Sequence, residues 1–162
     1  MPHSDISDPV LIEKIIRRAE VCQVAFSVDN QPYVVPMNFG YEDGCFYFHS
    51  KASGKKLDCL DANPRAAFSL QTDVRPLHEA DNCSMVYLSV IGSGTAQRIH
   101  DRTQKQAALD AINRQYHLST PSYSDAVLQK LAIFKITIDE ISGKSGNIDC
   151  EALFADPESS AL

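Results

Sequence analysis

The sequence contains no run approaching the roughly 18 consecutive apolar residues of a membrane span, and its first ten residues, MPHSDISDPV, lack the apolar core of a secretory leader. Both absences point to a cytoplasmic protein that does not engage a membrane. Basic residues are in deficit: 15 Lys and Arg against 21 Asp and Glu give a formal net charge of −6. The long-range field therefore repels nucleic acid, and any anion must be held by a local arrangement. The five cysteines, Cys22, Cys45, Cys59, Cys83 and Cys150, are odd in number and irregularly spaced, with no C-x-x-C pair. That pattern suggests neither a disulfide framework nor a zinc site, and most of them are expected to be small core residues. No histidine pair has H-x-x-x-H spacing and no Ser-His-acid or Cys-His set converges in the sequence, so no metal site is expected.

What is present is the composition of a soluble globular protein, 44% hydrophobic and 22% charged over 162 residues. A chain of this size needs one core. Residues 1–146 are expected to form one domain and 147–162 a C-terminal tail, frayed from Pro157 to Leu162.

Asp8 can cap a helix over Pro9–Glu20, with proline at its favoured first position and Leu11, Ile12, Ile15, Ile16 and Ala19 on one face. VCQVAFSV and PYVVPMNFGY, separated at Asp29-Asn30, read as a hairpin. Pro36 cannot donate to a ladder, so its strand belongs at an edge or carries a bulge, leaving backbone groups free for a ligand. Glu42-Asp43-Gly44 is a turn, and CFYFHS a third strand ending at His49. A short helix between Ser53 and Asn63 stops at Asn63-Pro64. Residues 66–72 form a fourth strand, and Asp73 to Asn82 a loop. Cys83 to Ile99 is strand-like but interrupted by Gly92 and Gly94, so two strands or one bent strand are expected there. Asp101 with Gln104 starts a helix, with Ala108, Ile112 and Tyr116 sharing a face. A loop from His117 to Ser124, a short helix over Asp125–Lys130 and the strand IFKITIDEI follow. About six strands with helices at one end and in one crossover make an α+β, mainly antiparallel barrel.

The chemistry concentrates in HSKASGKKLD, His49 to Asp58, where a strand ends and a helix begins. Free helix-start amides, the hydroxyls of Ser50 and Ser53, and the ammonium groups of Lys51, Lys55 and Lys56 together make a phosphate site. Taken alone, the segment is more often a solvated helix start. It is not a Walker loop, since His49 stands where that motif requires its first glycine. In YVVPMNFGY, the broken ladder at Pro36 and the polar Asn38 could meet the edge of a flat ring, or form a plain bulged edge strand. SVIGSG (89–94) and SGKSG (142–146) could admit close approach of a ligand or another chain, or be turns. His49 is the histidine placed at the presumed site. His3, His78, His100 and His117 fall in or beside loops.

In this order, PYVVPMNFGY, EDG, FYFHSKASGKKLD and NPRAAF resemble the flavoproteins related to pyridoxamine 5′-phosphate oxidase, and most of all the Nim-type nitroimidazole resistance proteins. The likeness covers roughly Pro9 to Gly146. It implies an FMN-binding split β-barrel with peripheral helices, assembled as a homodimer with FMN at the interface. Val35, Pro36, Met37, Asn38 and Phe39 would lie along the flavin ring. His49, Ser50, Lys51, Gly54, Lys55 and Lys56 would surround the ribityl phosphate. Tyr87, Ser89 and Lys144 would come from the second chain, and His49 would be the candidate catalytic group. The arginine-rich C-terminal signature of true pyridoxamine phosphate oxidases is not found, as the chain ends EALFADPESSAL, so oxidation of that vitamer is not expected. The implied activity is reduction of a small planar or nitroaromatic compound through bound FMN, with a nicotinamide nucleotide as electron donor. The alternative is a module that stores FMN or haem without turnover.

Overall fold

The computed structural model describes residues 4–79 and 82–155. Eight strands and five helices follow one another as β1 (Ser4–Ile6), α1 (Pro9–Arg18), β2 (Cys22–Val28), β3 (Gln31–Met37), β4 (Gly40–Glu42), β5 (Cys45–Lys51), α2 (Lys55–Ala62), β6 (Arg65–Glu79), β7 (Asn82–Ile99), α3 (Arg102–Gln115), α4 (Asp125–Lys130), β8 (Leu131–Gly146) and α5 (Cys150–Ala155). Strand order is β3-β2-β6-β7-β8-β5-β4, with β1 added to β8. The β1/β8, β2/β3, β4/β5 and β5/β8 ladders are antiparallel. This is the mainly antiparallel α+β class that the sequence predicts.

Contacts divide the chain into two compact units, Met1–Ala19 with Ser69–Ile91 and Ile141–Leu162, and Glu20–Phe68 with Gly92–Glu140. In the first, Asp8 caps α1 by accepting the Val10 amide at 2.9 Å. The helix buries Ile12, Ile15 and Ile16, and Leu70, Val86, Leu88 and Val90 are buried on the strands of the same unit. Spacing of the isoleucines at three and four residues makes one apolar stripe, which is why this segment is a helix that packs.

In the second unit the β2/β3 hairpin closes through Asp29 and Asn30, both at positive φ (50° and 60°). Asp and Asn tolerate that region, as a two-residue hairpin turn requires. The hairpin places β3 at an edge of the sheet, the position Pro36 demands. Phe39, Phe46, Phe48 and Phe134 are completely buried, with Phe39 edge-on to Phe46 at 5.5 Å and Phe48 stacked on Phe134 at 5.1 Å. Ala108, Leu109 and Ile112 of α3 pack with Ile99, Leu128 and Ile133.

Several expectations are corrected. The stretch from Asp73 read as a loop is strand up to Glu79 and again from Asn82, its middle residues 80–81 lying outside the described ones. Polar composition misled here, because Arg18 neutralises Asp73 and lets it sit in a strand. The glycines of SVIGSG do not divide β7, which runs unbroken from Asn82 to Ile99. A Cβ on Gly92 would fall 2.3 Å from the Glu140 carbonyl oxygen, and one on Gly94 would fall 2.2 Å from that of Thr137. These residues let β7 approach backbone closely. Two short strands, β1 and β4, raise the count above six, and the chain after Lys144 carries a helix, α5. The frayed end predicted over Pro157–Leu162 lies outside the described residues. No described helix is long and apolar enough to cross a membrane.

Candidate functional site

β5 carries His49, Ser50 and Lys51 to its end, residues 52–54 turn the chain, and α2 begins at Lys55. Gly54 sits at φ 136°, a conformation that only glycine adopts without strain. It leaves the helix start without a side-chain cap. The Leu57 and Asp58 amides donate to the Gly54 carbonyl, so the helix start offers a ligand the amides of Lys55 and Lys56, which no i−4 carbonyl of the helix can serve.

A cavity of about 660 Å³ opens there, within the range of small-molecule sites. His49, Ser50, Lys51, Ser53 and Lys56 line it from the β5/α2 junction, and Pro36, Met37 and Asn38 line it from the end of β3 and the residue after it. No carboxylate is among its lining residues, although the chain as a whole carries −6. The donor set therefore suits an anionic group carried on an uncharged, partly apolar body. Pro36 lies in β3, at an edge of the sheet, and Asn38 follows that strand directly. That arrangement fits a ring with a hydrogen-bonding rim.

His49 remains accessible from the cavity, yet the protein crowded around its imidazole, with the charge of Lys56 added, holds its pKa below the ordinary 6.5. Desolvation is the larger cause, since it penalises the imidazolium. His49 is therefore neutral at pH 7, able both to accept a proton and to donate a hydrogen bond.

Of the other predicted residues, Lys55 turns away to the hairpin, its ammonium 4.9 Å from the centre of the Tyr33 ring. Gly54 shapes the turn. Val35 pairs with Val24 in the β2/β3 ladder. Phe39 is a core residue whose amide donates to the Tyr116 hydroxyl at 3.0 Å, and that hydroxyl donates in turn to the Glu20 carbonyl at 2.8 Å. Tyr116 thus fixes the chain directly after Asn38. Tyr87, Ser89 and Lys144 come together in the first unit. The Ser89 hydroxyl donates to the Lys144 carbonyl at 3.5 Å, the Lys144 ammonium lies 3.7 Å from Asp5, and Gly146 packs on the Tyr87 ring. SGKSG is accordingly strand, with close approach by its own chain.

Sequence reading missed Val21 and Leu131, which also line the cavity. Each flanks a strand, one just before β2 and the other at the first position of β8, and no local signal distinguishes such a residue from an ordinary strand end. Among the described residues no three His, Cys, Asp or Glu side chains cluster as metal ligands do.

The sequence pattern of the family described as pyridoxamine 5′-phosphate oxidase matches residues 10–145. A candidate 5-nitroimidazole antibiotic resistance protein from Bacteroides thetaiotaomicron superposes with a TM-score of 0.80 at 32% identity, over 90% of each chain. An FAD-binding protein from Mesorhizobium loti superposes with a TM-score of 0.66 at 23% identity, over 90% of this chain and 99% of that one. An FAD- and haem-binding protein from Mycobacterium smegmatis gives 0.72 at 20% identity, over 93% and 79%. The last two share the fold. Comparison with curated protein sequences yields no match.

Proposed function

Because the chain belongs to the pyridoxamine 5′-phosphate oxidase family and has its split-barrel fold, we propose that it binds FMN in the cavity at the β5/α2 junction and reduces a small planar or nitroaromatic compound. The observation that carries this reading is the cavity itself, lined by cationic and hydroxyl groups from the β5/α2 junction, by the uncharged residues 36–38, and by no carboxylate. Lys51, Ser53, Lys56 and the uncapped amides of α2 hold the phosphate. Pro36, Met37 and Asn38 lie along the ring. When bound, the flavin supplies the redox chemistry, taking electrons from a nicotinamide nucleotide and passing them to the acceptor. The protein's own share is to bind, orient and exclude water, with neutral His49 positioned as hydrogen-bond or proton donor to the acceptor.

A second copy completes the site in this reading, contributing Tyr87, Ser89 and Lys144. Pairing copies would also cover the exposed edge strand. A dimeric mass in sedimentation at micromolar concentration with FMN present is expected, and a monomeric one would remove this part of the proposal.

The activity is tested by stopped-flow reoxidation of anaerobically reduced protein with a 5-nitroimidazole, comparing wild type with His49→Ala. Reoxidation faster than that of free reduced FMN, and slower in the variant, is expected. A rate no faster than free reduced FMN would leave a flavin-holding module without turnover.

A further inference from the structure

The cavity unites His49 and Lys51 on β5 with Lys56 on α2. The remaining lining residues from β3 and β8 and the residue before β2 are uncharged. The charged side chains that line the cavity beside His49 are thus both lysines, and it is the charge of Lys56 that bears on its imidazole. A phosphate dianion placed among the lysines reverses the sign of that environment, because an opposite charge within a few ångströms favours the imidazolium.

Resting on the flavin reading above, we infer that the phosphate-bearing ligand enters this cavity together with a proton that lodges on His49, so that its affinity is set by pH. The free imidazole is held neutral by enclosure and by Lys56. The bound complex carries more protons than the free protein, so binding strengthens as pH falls through the interval between the liganded and the free value of His49. The phosphate's own second ionisation, near pH 6, acts in the opposite sense. Lysines that prefer the dianion expel its proton. Net uptake on binding therefore reports the protein, and a ligand without phosphate gives none.

The test is titration calorimetry of the full chain with FMN and with riboflavin over a series of pH values, in two buffers of different ionisation enthalpy, which counts protons exchanged per ligand bound. An upward move of about one unit in the histidine corresponds to about half a proton midway between its free and bound values. With FMN, wild type is expected to take up at most about half a proton more than His49→Gln, whose own exchange is the phosphate's release, and riboflavin should give no exchange. The FMN affinity of wild type should also rise by up to about tenfold relative to His49→Gln across that interval. Should the variant fail to fold, an NMR titration of wild-type His49 with and without FMN decides, an upward move being expected and an unmoved midpoint overturning the inference. FMN exchange that is the same in wild type and in His49→Gln would overturn the inference while leaving flavin binding intact. Failure of FMN to bind would overturn both readings.

Discussion

Lys55 and Lys56 are neighbours in sequence but serve different partners, the first over the Tyr33 ring at 4.9 Å and the second on the cavity wall. Successive helix residues point about 100° apart, so adjacent lysines cannot both face one ligand in the same way. Lys56→Ala should weaken FMN by about 1.5–3 kcal/mol, the scale of a charge-assisted contact, and riboflavin far less. Lys55→Ala should cost less than about 1 kcal/mol for either ligand. Flavin fluorescence titration of the two variants checks this, and equal losses would mean that Lys55 swings into the site.

Arg18 grips Asp73 with two bonds, Nε at 2.8 Å and Nη2 at 2.9 Å, both side chains less than a fifth exposed. The Arg18 hydrogen bond, outweighing burial, holds the Asp73 carboxyl below its ordinary 3.8. A carboxyl depressed in the folded state stabilises fully above the unfolded value and loses that contribution as pH falls through the folded one. Asp73→Asn should therefore lower the urea midpoint at pH 7, by about 1.5–3 kcal/mol in free energy, and the gap to wild type should narrow below pH 4. A constant gap from pH 7 to 3 would contradict it.

Tyr116→Phe removes the hydroxyl that serves the Phe39 amide and the Glu20 carbonyl. With Phe39 fully buried, an unmade bond there should cost about 1–3 kcal/mol. Because Asn38 precedes it, FMN and riboflavin should weaken alike, unlike the Lys56 case. Chemical denaturation paired with both ligand titrations separates the two effects.

Gly94→Ala puts a methyl 2.2 Å from the Thr137 carbonyl oxygen. Backbone cannot yield as a side chain can, so a loss of at least about 2–3 kcal/mol is expected. Gly44→Ala meets nothing within 4 Å and pays only for its φ of 69°, so its thermal midpoint should fall less.

Much of this was legible in the chain because local rules decided it. Asp8-Pro9 fixed the start of α1, Asp29-Asn30 the hairpin, Asp101 with Gln104 the start of α3, and Pro36 the edge. The order of motifs around HSKASGKKLD located the cavity. What escaped depends on distant partners. Nothing near Asp73 announces Arg18, 55 residues away, so a strand looked like a loop. Gly92 and Gly94 looked like breaks because the strand they pack against lies more than forty residues on. Val21 and Leu131 reach the cavity only through the packing of β2 and β8, which no short window encodes.

The contrast between a carboxylate-free cavity wall and a chain of net charge −6 also bears on how fast a phosphate ligand arrives. From a Debye length away, about 8–10 Å in physiological salt, the approaching dianion meets repulsion, and attraction takes over only within reach of Lys51 and Lys56. Salt erodes the outer barrier before it erodes the inner contact. Association should then quicken with ionic strength, the reverse of electrostatically steered encounter, while the bound ligand leaves sooner as its lysine contacts are screened. The same equilibrium constant can thus conceal opposite movements in its two rates, with turnover of the ligand pool fastest in the saltiest surroundings.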